Sequence, residues 1–292
     1  MVGGSLPRPL SPGGPGPGVP FRASPDLFFR NDAGMTASQE SLESASEKRG
    51  LAELVLVRHG ESVGNLADRA ALDAGKAYLD LDVRDADVEL SETGIEQAQA
   101  VRDHLSRLPE GQRPTAILSS PYQRARQTAE IAVEGLDLPL VVDERVRERD
   151  LGAFDGMTWI GIEQEYAQES KRRQRVGKYY YRPPGGESWC DVVQRVRQVL
   201  LELQERYAGE RLWVFSHQAT IMSFRVALEG LEEAEVLAAD KKTPLANCSM
   251  TAYRAGGDGL ELVAYGDTSA VDRAGEDVTH ERSHGGGDGQ GG

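Results

Sequence analysis

The chain has 292 residues, a formal charge of −14 from 33 Lys and Arg against 47 Asp and Glu, and only two cysteines. That acidic excess argues against a general binder of nucleic acid or anionic membranes, which need a basic surface field. Cys190 and Cys248 belong to no Cys-x-x-Cys pair or Cys/His cluster, so a disulfide framework and a thiolate metal centre are excluded. No apolar run approaches the ~18 residues of a membrane span, and the first 35 residues lack the basic start and apolar core of a secretory signal. The expected setting is a reducing cytoplasm, in which an anionic ligand is drawn to a local cationic pocket.

Residues 1–46 are rich in Pro, Gly and Ser and carry no periodic apolar pattern, so they are expected to be a disordered N-terminal extension. Met35 stands just before the composition becomes ordinary and is expected to be the true start. The foldable part is 51–266. A continuous apolar run at 54–57 predicts a strand buried on both faces, ending at Arg58, His59 and Gly60. Thr93 and Glu96 read as a capping box for a helix to 108, with Ile95, Ala98, Val101, Leu105 and Leu108 on one stripe. A strand at 116–119, a helix over 121–134 and a strand at 140–142 follow.

Ser188 and Asp191 cap a long helix over 188–207 with Val192, Val196, Val199, Leu200 and Leu203 on its buried side. A strand at 212–215 ends at Ser216, His217 and Gln218, a helix covers 220–228, and strands at 250–253 and 260–264 complete the sheet. From about Val271 the chain turns polar and Gly-rich, so 271–292 is expected to be a disordered tail. The alternation implies an α/β three-layer sandwich, with a mostly parallel central sheet flanked by helices. In such sheets ligands sit beyond the carboxyl ends of the strands, and both His59 and His217 are placed there.

An imidazole can attack phosphorus through one ring nitrogen if the other holds its proton against a backbone acceptor. Arg58 supplies charge beside it, and Gly60 permits close approach. The run Arg58, His59, Gly60, Glu61, Ser62 resembles the signature of the histidine phosphatase superfamily, the phosphoglycerate mutase-like fold, and the resemblance extends from Leu54 to about Tyr265. It implies a phosphoryl-transfer enzyme with His59 as the phosphorylated nucleophile and no metal or other cofactor. Asn65 matches a phosphate-contacting asparagine. Arg124, in the run from Ser119 to Ala129, matches the arginine that clamps the phosphoryl group, Glu148 the proton donor, and His217 the second catalytic histidine, expected to be protonated.

The stretch from Lys178 to Trp189 is most similar to the fructose-2,6-bisphosphatase branch, in which Lys178 and Gln218 match sugar-phosphate contacts. On charge alone Lys178 with Arg182 and either Arg173 or Arg175 could hold a second anionic group. Trp159 and Trp189 stand where that branch has substrate-touching tyrosines, and Met222 where it has an arginine, so the branch's own sugar bisphosphate is disfavoured. Residues 66–89 form a longer connection than is common in the family. With Asp80, Asp82, Asp85, Asp87 and Glu89 it reads as an acidic flap limiting which anions enter or as an inert surface insertion. The expected function is hydrolysis of a small phosphorylated metabolite, sugar phosphates included. The alternatives are a cofactor-dependent phosphoglycerate mutase and a catalytically silent module binding phosphate esters or a partner. The oligomeric state is left open.

Overall fold

The computed structural model describes residues 50–257 and 259–281. The expectations for 1–46, for Met35 and for 282–292 lie outside them. Six strands form one sheet: β1 (Glu53–Arg58), β2 (Ala116–Ser119), β3 (Leu140–Val142), β4 (Arg211–Ser216), β5 (Met250–Ala255) and β6 (Leu260–Asp267), in the order β3-β2-β4-β1-β5-β6. The first four run parallel, while β5 pairs antiparallel with β1 and β6 with β5. Arg58 lies opposite Ser216 in the β1/β4 register, so the residues after each strand emerge side by side.

Successive side chains of a strand point to opposite faces, and β1 uses both. Leu54 and Leu56 join a core with Val192, Val196 and Leu203 of α6 (Trp189–Arg206) and with Ile221 and Phe224 of α7 (Gln218–Glu229). Val55 and Val57 face the other core, built with Ala98, Val101 and Leu105 of α2 (Glu92–Arg107), Ala129 and Ala132 of α3 (Gln123–Ala132), and Val271 of α9 (Ser269–Ala274). The sequence-derived layers and strands therefore agree with the fold. The remaining helices are α1 (Val63–Asp73), α4 (Trp159–Glu165), α5 (Ala167–Val176) and α8 (Glu233–Lys242).

Two expectations are corrected. The cap of α2 is Ser91, which accepts from the Gly94 amide at 3.0 Å, so Thr93 and Glu96 are not the capping pair. Shifting the start leaves Ile95 at 39% exposure, off the buried stripe. The chain also does not lose structure at Val271. That side chain is fully buried, and the following residues are pinned by hydrogen bonds from Gln97 Nε2 to the Asp277 carbonyl (2.7 Å) and from the Asn247 amide to the Thr279 carbonyl (2.9 Å). Polar composition conceals such a strap because it is held through its own backbone carbonyls, which accept from remote residues. The stretches 66–89 and 159–176, for which the sequence predicted no element, also hold most of α1 and all of α4 and α5; α5 buries no side chain.

Candidate active site

His59 and His217 follow β1 and β4, and their rings lie 5.1 Å apart between centroids at 56°. The His59 amide donates to the Ser216 carbonyl at 3.0 Å, coupling the two loops. His59 Nδ1 lies 2.7 Å from the Gly60 carbonyl. A carbonyl only accepts, so Nδ1 carries the proton and Nε2 presents its lone pair. Burial, then the charges of Arg124 and Arg58, hold the His59 pKa well below 6.5, which keeps the ring neutral.

The loop is fixed by close packing. A Cβ on Gly60 would meet the Gly94 carbonyl oxygen at 2.5 Å, and one on Gly94 would meet that of Glu61 at 1.9 Å. The Gly60 amide donates to Thr128 Oγ1. From the far side Cys248, at φ +54°, directs its amide to the Arg58 and His59 carbonyls. Burial raises the Cys248 thiol pKa, so this cysteine is inert.

His217 Nε2 lies 2.8 Å from Ser120 Oγ, just beyond β2. Its pKa is also held well below 6.5, first by burial and then by Arg124, His59 and Arg58. The expected imidazolium is therefore not the state of the ligand-free site. A phosphoryl dianion would shift the balance back toward it, since an adjacent anion favours the charged ring. Tyr122, between His217 (5.3 Å, edge-on) and the Arg124 guanidinium (5.2 Å), is a wall residue that the motif contained but the sequence reading did not single out.

Arg58 and Arg124 are both buried, at 0% and 6% exposure. Arg58 donates to the Leu245 carbonyl and, at 2.8 Å, to Glu281. Arg124 pairs with Asp85, its Nη1 reaching the carboxylate at 2.9 Å and the backbone carbonyl at 2.6 Å. Asn65 Oδ1 accepts from the Ser62 amide and from Ser62 Oγ, each at 3.1 Å. Neither Glu281 nor Asn247, whose Nδ2 donates to the His59 carbonyl at 3.1 Å, carried a sequence signal.

Glu148 lies on the loop after β3, held by Arg195 donating to its carbonyl (3.1 Å) and by Thr220 Oγ1 donating to the Arg147 carbonyl (2.6 Å). Desolvation raises its pKa against the opposing Arg149 amide and Arg124 charge, so it can hold a proton where an exposed carboxylate would not. It borders a cavity of about 260 Å³ whose walls include Phe154, Met157, Trp159, Ile162, Tyr181 and Trp189. Lys178 and Gln218 line it too, but both bond Asp240, at 3.0 and 2.9 Å. Arg173 lines the cavity and Arg175 does not, while Arg182 is exposed and paired with Asp191. Met222 sits in the core, fully buried, and not on the cavity wall. Among the described residues no cluster of His, Cys, Asp or Glu is arranged to hold a metal ion, and no helix is long and apolar enough to cross a membrane.

Residues 54–268 match the family profile of the histidine phosphatase superfamily, branch 1, and the chain belongs to that superfamily. Its relatives include phosphoglycerate mutase-like protein 4 of Arabidopsis thaliana, 31% identical over 239 residues, covering 79% of this chain and 91% of that one. Fructose-2,6-bisphosphatase of Saccharomyces cerevisiae is 32% identical over 166 residues, which are 57% of this chain but 32% of the yeast protein. This chain thus spans about a third of that relative. The fold is shared with the alpha-ribazole phosphatase from Shigella flexneri, at TM-score 0.61 and 21% identity over 74% of this chain and 96% of that structure.

Proposed function

We propose that this chain is a phosphomonoester hydrolase working through a phosphohistidine at His59. The observation that carries the reading is the hydrogen bond from His59 Nδ1 to the Gly60 carbonyl, which leaves a neutral Nε2 among Arg58, Arg124 and His217. Nε2 attacks phosphorus, the ester P–O bond breaks, and Glu148 gives its proton to the departing oxygen. Glu148, now a carboxylate, takes a proton from the water that attacks phospho-His59. The P–N bond breaks and inorganic phosphate leaves. Arg58, Arg124, Asn65 and His217 stabilise the charge spread over the phosphoryl oxygens, the main requirement of such a transfer.

The leaving group occupies the cavity beside Glu148. Two features argue against a sugar bisphosphate there: Asp240 already neutralises Lys178, and the indoles of Trp159 and Trp189 offer no hydroxyl. A small phosphorylated metabolite with one phosphate fits better. The reading includes a cytoplasmic setting.

A panel of phosphorylated metabolites assayed for phosphate release and for phosphoglycerate interconversion, with His59→Ala as control, tests the proposal. Release that vanishes in the variant is the expected result. Interconversion alone would make the chain a mutase, which the similarity to the Arabidopsis protein keeps in view. Tight ester binding without turnover would make it a silent module.

A further inference from the structure

Two carboxylates bond the two buried arginines of the site, one to each. Asp85 accepts from Nη1 and Nη2 of Arg124 at 2.9 and 3.2 Å, and Glu281 from Nη2 of Arg58 at 2.8 Å. The arginines are buried, yet the side chains of Asp85 and Glu281 keep 41% and 37% of their surface. A buried guanidinium without an anion is costly, and each carboxylate offsets that cost from a position where it can turn into water when another anion arrives.

Both acids are delivered by anchored segments. Asp85 begins a short 3₁₀ turn, Asp85–Asp87, at the end of a stretch that bonds the cap of the cavity: the Leu79 amide donates to the Gly156 carbonyl at 2.9 Å and the Thr158 amide to the Ala77 carbonyl at 3.0 Å. Glu281 ends the strap that Gln97 and Asn247 hold in place. Among the acids of 66–89 Asp85 bonds Arg124, whereas Asp80 and Asp82 are exposed and Asp87 pairs with Arg84.

We infer that Asp85 and Glu281 are specificity-determining residues: internal carboxylates that compete with the incoming anion for Arg124 and Arg58. Displacing both favours an anion that serves the two guanidiniums at once. A phosphoryl dianion, with three oxygens and more charge than either carboxylate, does so; a monoanion replaces one ion pair only. The same competition helps expel inorganic phosphate after hydrolysis. The inference rests on the phosphoryl-transfer reading of the site, but its test needs no turnover.

Inorganic phosphate is titrated calorimetrically into the full chain and into Asp85→Asn, Glu281→Gln and the double variant, which keep shape and remove charge. Phosphate is expected to bind each single variant several-fold more tightly and the double variant about tenfold or more. In turnover assays KM and the inhibition constant of phosphate fall together, whereas a merely structural role would raise both. Nitrate, a monoanion, gains affinity in the double variant and narrows the preference for phosphate. A folded double variant, checked by circular dichroism, that binds phosphate no more tightly than the parent overturns the inference; if that variant does not fold, the same result with folded Glu281→Gln does so. Tighter phosphate binding in a protein that turns over no phosphomonoester would sustain this inference and remove the hydrolase reading.

Discussion

In the proposed mechanism His59 is the nucleophile, and what suits it is the bond that leaves Nε2 its lone pair. Its proton is committed to the Gly60 carbonyl, and burial beside two arginines prevents a second proton from binding. Glu148 is shifted the other way: desolvation raises its pKa, which suits the proposed role of proton donor. Glu148→Gln should lower kcat/KM on alkyl phosphomonoesters by about 10²–10⁴-fold. The same variant should lose much less on p-nitrophenyl phosphate, whose nitrophenolate leaves without a proton. Equal losses on both substrates in steady-state assays would contradict the acid role. Most of this constellation was legible in the sequence because Arg58, His59 and Asn65 share one run and Arg124 lies in a second. The occupancy of the arginines was not. Asp85 was one of five similar acids, and Glu281 lay in a stretch whose polar composition read as a tail. Nor could a motif show that His217 is neutral before an anion arrives, since that depends on how deeply the fold buries it.

At the level of elements, the loop that carries His59 is set by α2. Its cap, Ser91, also donates to the Glu61 carboxylate at 2.8 Å, and Gln97 one turn on accepts from the Glu61 amide at 2.8 Å. Gly94 lets the helix end approach, since a Cβ there would fall 1.9 Å from the Glu61 carbonyl oxygen. Gly94→Ala should therefore cost about 1–3 kcal/mol or more through overpacking, and activity should fall with it as His59 shifts. Gly111→Ala, with nothing within 4 Å of the added carbon, should stay within about 0.5 kcal/mol. Urea unfolding of the two variants checks the contrast. Strands and long helices were readable because β1, β4 and α6 bury unbroken or periodic apolar sets. Helices α4 and α5 were not, because a short polar helix packed over a cavity has little apolar face to display.

For the whole molecule the two buried histidines make stability depend on pH. Unfolded, each binds a proton near 6.5, while in the native protein each resists it. The unfolded chain thus gains protons first, so the histidines' contribution is fully present at higher pH and is lost as pH falls below 6.5. Glu148 acts oppositely: its raised native pKa gives stability that is present below its ordinary 4.5 and lost as pH rises through the native value. His104 and His280, whose pKa values are also lowered, first by burial, act in the same direction as His59 and His217, so the Tm should drop between about pH 7 and 5.5. Saturating phosphate should reduce that drop, and so should His59→Gln with His217→Gln. A Tm in which the double variant keeps the full slope would place the effect elsewhere. The net charge of −14 correctly directed attention to a local cationic site but not to the acids that share it. The most direct measurement is a rapid alkaline quench of the protein mixed with a radiolabelled phosphomonoester. The account predicts one acid-labile, base-stable label per chain, mapped to Nε2 of His59 and absent from His59→Ala. Steady turnover with no label on the protein, or with the label on another residue, would contradict it.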